Sequence, residues 1–130
     1  LKSGTLVFHG PDTDPEKRQR LMSEFGVETE EVELSETGRL NLVSVLRRLH
    51  DRQLVNVMVE GGGEVLSQFL TSGLADELSV FMAPKLFGMG QGWVKQTLAN
   101  TADEAVLLEN VKVERLGDDM YVRGRLRYES

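Results

Sequence analysis

Glu60, followed by Gly61, Gly62 and Gly63, is the part of this chain whose residue types and spacing could do chemistry. Residues 55–59 form a β-branched apolar run that reads as a strand buried on both faces. Val65, Leu66, Phe69 and Leu70 then resume at helical spacing. A strand passing through glycines into a helix sets backbone N–H groups against an anion. The first N–H groups of a helix lack intrahelical acceptors, and the dipole there is positive. Glycine also lets a ligand approach closer than a Cβ would allow. The stretch thus offers a phosphate cradle with a carboxylate beside it, at the strand end where open α/β sheets bind ligands. Plainer readings stand next to these: three glycines also make a packing turn, and Glu60 could simply emerge into solvent. Against the second, a charge closing an apolar strand is costly unless it is paired or faces a cleft.

Other chemistries find little support. The spacing of the dinucleotide fingerprint fails at Leu66, and no G-x-x-x-x-G-K-[ST] element occurs, which disfavours a kinase or NTPase. His9 and His50 are the only histidines and form no paired ligand motif, so no metal site is expected. His50 ends a helix, where a dipole contact explains it, and His9 reads as a loop position after a strand. No Ser-His-Asp arrangement can be argued, and no catalytic side chain is assigned. The absence of cysteine removes disulfides and thiolate chemistry together. A net charge of −6 argues against wholesale binding to nucleic acid or a membrane surface, and no apolar run reaches membrane-spanning length. At 130 residues the chain is long enough for one domain with a core.

The elements that must position Glu60 and the glycines alternate. Leu6, Val7 and Phe8 form a short strand, and Asp14 and Pro15 open a helix carrying Leu21, Met22 and Phe25 on one face, with Gly26 as its stop. Residues 27–34 alternate apolar with acidic types, suggesting a strand partly exposed or near an edge. Asn41 caps a second helix whose Leu42, Val45, Leu46 and Leu49 line one face, with Arg47, Arg48, Asp51 and Arg52 in water. Next come a strand over 54–59, the glycine turn and a third helix ending at Gly73. This order predicts parallel strands with right-handed crossovers. Thereafter residues 76–83 read as a strand closed by Pro84, and residues 88–92 as a flexible loop. Residues 105–116 and 120–129 form a hairpin around Gly117, Asp118 and Asp119. Met120, Val122, Gly124, Leu126 and Tyr128 share one face of the last strand. Tyr121, Arg123, Arg125 and Arg127 share the other, read as solvated. Parallel units followed by an antiparallel hairpin make a mixed sheet.

With these residues laid out, a family resemblance appears. Val57-Met58-Val59-Glu60-Gly61-Gly62-Gly63, then Phe69-Leu70, Gly73-Leu74-Ala75-Asp76-Glu77-Leu78 and Ala83-Pro84-Lys85-Leu86-Phe87-Gly88, resembles the C-terminal reductase domain of the bifunctional pyrimidine deaminase/reductase of riboflavin biosynthesis. The resemblance implies a dihydrofolate reductase-like α/β fold, a three-layer sandwich with a mixed, mostly parallel sheet ending in an antiparallel hairpin. It implies NADPH-dependent reduction of 5-amino-6-(5-phosphoribosylamino)uracil to the ribitylamino product. It places the substrate on Glu60 and the cofactor phosphates on Gly61, Gly62, Gly63, Glu64, Val65 and Leu66. A cytoplasmic homodimer is implied as well. The family's lysine-bearing strand, Ser-x-Asp-Gly turn and arginine segment find no match in residues 1–10, so residues 1–130 are expected to be a single, N-terminally incomplete reductase domain. The deaminase zinc signature is also absent. Two alternatives stay open at this point. One is a dihydrofolate reductase-like enzyme, disfavoured because that family usually has an apolar or small residue where Glu60 stands. The other is a non-catalytic nucleotide-binding or dimerising remnant.

Overall fold

The computed structural model describes residues 4–86, 88–90 and 92–128. Leu1, Lys2 and Glu129, and the expected parts of Phe87 and Gln91 in the third motif and its loop, lie outside the described residues. The chain divides into two compact units, Leu1–Val57 and Met58–Ser130.

In the first unit, β1 (Leu6–His9) pairs in parallel with β2 (Glu28–Glu31), with Leu6 opposite Glu28 and His9 opposite Glu31. The crossover between them is α1 (Pro15–Phe25), built as its end signals dictate. Asp14 accepts a 2.9 Å hydrogen bond from the Glu16 N–H, and Pro15 sits in the first turn, where its missing donor costs nothing. Gly26 stops the helix in the left-handed conformation (φ 59°) and donates its N–H to the Met22 carbonyl. Val27 and Val32, which flank β2, are the buried apolar residues of this unit.

The acidic pattern of β2 has a partner that periodicity alone does not reveal. Arg52, just after α2 (Leu42–Asp51), reaches Glu28 at 2.7 Å and Glu30 at 2.9 Å, and Arg48 lies 3.3 Å from Glu30. Glu28 and then Glu30 hold the Arg52 guanidinium still more firmly protonated than usual. The polar side of α2 therefore faces carboxylates as well as water. Asn41 caps α2 through the N–H groups of Val43 and Ser44, and Glu33 accepts hydrogen bonds from Ser44 and Asn41.

The second unit combines α3 (Gly63–Thr71) with a three-stranded antiparallel sheet in the order β3, β5, β4 (Glu77–Met82, Asp119–Arg127, Leu107–Leu116). A short 3-10 turn, Ala102–Glu104, precedes β4. Gly117 takes φ 64° in the hairpin turn, a conformation that glycine adopts freely. Pairing shifts register between Glu109 and Lys112, where Asn110 has φ 52°. This is a bulge inserted into an otherwise regular ladder. Val80, Val122 and Val113 align across one face; Phe81 stacks on Tyr121 across the other, with ring centroids 4.7 Å apart. The arginines of β5 are half-exposed, as expected of a solvated face, and two are paired: Arg123 with Glu77 at 2.6 Å and Arg127 with Glu109 at 2.7 Å. Phe69 and Leu70 of α3 form the buried apolar core of this unit. Tyr128, just after β5, donates its hydroxyl to the Ala75 carbonyl at 3.0 Å, in the segment after α3.

The expected strand over 54–59 is corrected by the structure. These residues belong to no strand, and among the described residues no ladder reaches them. Val55 is 73% exposed and Met58 84% exposed, so the run is not buried on both faces. A strand exists only when a neighbour accepts and donates its ladder hydrogen bonds. Apolar alternation reports what a segment would bury, not whether a partner lies beside it. For the same reason the expected single, mostly parallel sheet is seen here as a parallel pair and a separate antiparallel sheet.

Candidate functional site

The glycine turn opens α3, as its position before an apolar helical pattern requires. Gly62 is the N-cap, in an extended conformation (φ −69°, ψ 164°), and its carbonyl accepts from Val65 and Leu66 at 3.0 and 3.2 Å. No side chain caps this helix. Among the described residues, no N-cap side chain supplies the acceptor that a Ser or Asp would offer the first N–H groups.

None of the three glycines has a positive φ, so backbone conformation does not demand them. Space gives a different answer for each. A Cβ on Gly61 would stand 3.3 Å from the Cβ of Val65. One on Gly63 would collide with the Lys95 side chain at 2.9 Å and approach the Gly92 carbonyl to 3.2 Å. One on Gly62 would meet nothing within 4 Å. Gly62 is thus the position where the bare protein has no need of glycine. An open approach at an uncapped helix start is what a phosphate requires. The residues present therefore fit a phosphate group.

Glu60 is exposed, directly before the turn. Glu64 lies in the first turn of α3, Val65 is 40% exposed, and Leu66 is half-buried. The structure thus gathers Gly61, Gly62, Gly63, Glu64, Val65 and Leu66 at one helix start, with Glu60 next to them. His9, in the first unit, differs from its expected loop setting. It is the last residue of β1, only 8% exposed, with Nδ1 2.9 Å from the Gly10 carbonyl. Among the described residues no group of acidic and histidine side chains could hold a metal ion.

Two residues at this site escaped the sequence reading. Ser67 is fully buried; its hydroxyl donates to the Gly63 carbonyl at 2.5 Å and accepts from the Lys95 N–H at 2.7 Å. A serine on the buried side of an apolar helix was the available signal, since a buried hydroxyl must be satisfied. Lys95 carried no signal at all, because 28 residues separate it from Ser67.

A unit with a parallel β-α-β crossover and a unit combining a glycine-opened helix with an antiparallel sheet define an α/β protein. The chain belongs to the RibD C-terminal domain family, whose model matches residues 1–122. It is 34% identical over 82 residues to the riboflavin biosynthesis protein RibD of Aquifex aeolicus, covering 63% of this chain and 23% of that protein. It is 34% identical over 97 residues to the 2,5-diamino-6-ribosylamino-4(3H)-pyrimidinone 5′-phosphate reductase of Methanothermobacter thermautotrophicus, covering 71% of this chain and 44% of that protein. The chain spans less than half the length of either relative. A pyrimidine reductase-like protein from Corynebacterium diphtheriae shares the fold, with TM-score 0.68 and 22% identity over 95% of this chain and 50% of that one.

Proposed function

We propose that this chain is a reductase domain of riboflavin biosynthesis that uses NADPH to reduce 5-amino-6-(5-phosphoribosylamino)uracil to its ribitylamino product. The observation that carries the reading is the uncapped start of α3, with open space at Gly62 and Glu60 beside it. NADPH would supply a hydride. Gly61, Gly62, Gly63, Glu64, Val65 and Leu66 would hold its phosphates, chiefly through backbone N–H groups. Glu60 would contact the phosphorylated pyrimidine substrate as a hydrogen-bond acceptor. The protein's part is placement, charge neutralisation and exclusion of water. The names of the relatives, which are reductases of closely related phosphorylated pyrimidines, support this substrate class. Their chemistry supports a nicotinamide cofactor.

The finer fold belongs to the same reading: one three-layer, dihydrofolate reductase-like domain acting in the cytoplasm as a homodimer. Exposed apolar side chains at Val113, Met82 and Met120, on one face of the antiparallel sheet, support a second copy covering them. No helix among the described residues is long and apolar enough to cross a membrane.

Calorimetric titration of NADPH into the protein tests the cofactor assignment. Gly62→Val is expected to abolish binding with the fold retained by circular dichroism, and Glu60→Gln to leave it unchanged. In steady-state assays Glu60→Gln is expected to raise KM for the pyrimidine about 10- to 100-fold, the loss typical of a hydrogen bond to a charged group. Absence of NADPH binding to the unaltered protein would sink the reading.

A further inference from the structure

The structure ties α3 to a distant segment in a way that gives the glycine turn a cation. We propose that Lys95 is the positively charged arm of the anion cradle at Gly61–Gly63 and that Ser67 is the residue that positions it. This inference rests on the glycine-turn reading above and adds two residues to it.

Ser67 is fully buried. Its hydroxyl, with no exposed surface, is spent on two bonds: one to the Gly63 carbonyl in its own helix and one from the Lys95 N–H. The first is the common back-bond of a helical serine. The second fixes the backbone of residue 95 against the first turn of α3. Thr71, one turn on, donates to the Ser67 carbonyl at 2.9 Å, with the Gln96 side chain 3.3 Å from its hydroxyl. The backbone of residue 95 is thus fixed to α3 by the Ser67 bond.

From this anchor the Lys95 side chain runs toward the helix start. Its Cγ lies 2.9 Å, and its Cε 3.2 Å, from the point where a Gly63 Cβ would stand. The ammonium is one bond beyond Cε, and a Cβ at the first helical position leans toward the N-terminus. Gly63 is therefore glycine because Lys95 lies across it. A cation at the positive end of a helix dipole is unfavourable on its own, and among the described residues no ion pair engages Lys95. The unfavourable term reverses when an anion sits between the ammonium and the helix N–H groups, which then act on it together. The sequence carries no signal for this arm, because Lys95 lies 28 residues from the serine that anchors it.

The test is NADPH titration of the protein with Lys95→Met, Lys95→Arg, Ser67→Ala and the Ser67→Ala/Lys95→Met double variant, beside Gly62→Val. Lys95 is exposed, so its variants are expected to melt with the parent. Lys95→Met is expected to raise Kd about 10- to 100-fold, the loss typical of a hydrogen bond to a charged group. It is also expected to flatten the dependence of Kd on salt, since screening acts on the charge removed. Lys95→Arg is expected to restore Kd to within about threefold by keeping the charge. Ser67→Ala is expected to weaken binding, and the double variant to bind no worse than Lys95→Met, because the serine acts through the lysine. Additive losses in the double variant would overturn the positioning role of Ser67. If Gly62→Val abolishes binding while Lys95→Met changes neither Kd nor its salt dependence, the Lys95 assignment alone falls. If the unaltered protein does not bind NADPH, or Gly62→Val binds it equally, the glycine-turn reading fails and takes this inference with it.

Discussion

Gly62 has an ordinary backbone conformation, and the place where its side chain would stand is free of neighbours, so a methyl group there burdens the fold little. Gly62→Ala is expected to change unfolding free energy by less than about 1 kcal/mol, the small loss of a glycine N-cap being offset by a stiffer unfolded chain. The same methyl narrows the approach to the helix N–H groups, so NADPH affinity is expected to fall while the melting curve holds. Titration and melting of one sample check both. The helix start was legible in the sequence, since glycines between Glu60 and an apolar helical pattern mark where a helix begins. The separate roles of the glycines were not, because only packing shows that Gly63 clears Lys95 while Gly62 clears nothing. Tyr128 offers a pH test at the same scale. Burial pushes its phenol above the ordinary value near 10, and the Asp76 carboxylate adds to the effect. Below pH 10 the phenol is protonated in folded and unfolded chains alike. Above that, the unfolded chain loses the proton first, so stability falls as pH rises through the raised value. Denaturant unfolding of Tyr128→Phe is expected to show a shallower alkaline loss than the parent.

At the scale of elements, helix ends were the most legible feature, because caps are local chemistry. Asp14, Gly26 and Asn41 stand where the sequence placed them. Asn41→Ala is expected to lower stability by about 1 kcal/mol, the usual value of a side-chain cap, as read by thermal denaturation. Its Nδ2 also bonds Glu33, so the loss should sit at the upper side of that range. The hairpin was legible for a similar reason: Gly117 and Asp118 turn the chain between two alternating runs. The 54–59 segment was misread because its composition describes a strand while its hydrogen bonds depend on another segment. The acidic stretch of β2 was half legible. Its charges were visible, but Arg48 and Arg52 were assigned to water because they sit on the far side of α2 from its leucines. Their length lets them reach Glu28 and Glu30 from there.

For the whole molecule, strand order and synthesis order disagree. β5 is the middle strand of its sheet, yet it follows both of its neighbours in the chain. The turn at Gly117 joins it to β4 at once, but Ser79 and Tyr121, whose hydroxyls are hydrogen-bonded across the other ladder, are 42 residues apart. Closing that larger loop costs more entropy, so β3 is expected to dock after the hairpin has formed. A chain ended after Leu116 should lose the entire three-stranded sheet rather than one strand of it. It should leave Val80, Phe81 and Met82 without a ladder partner. Far-ultraviolet circular dichroism and dye binding to exposed apolar surface would read both effects. Each nascent copy of this protein therefore carries an unfinished β-edge until β5 has been made. The interval between the synthesis of β3 and that of β5 is its window of vulnerability to aggregation.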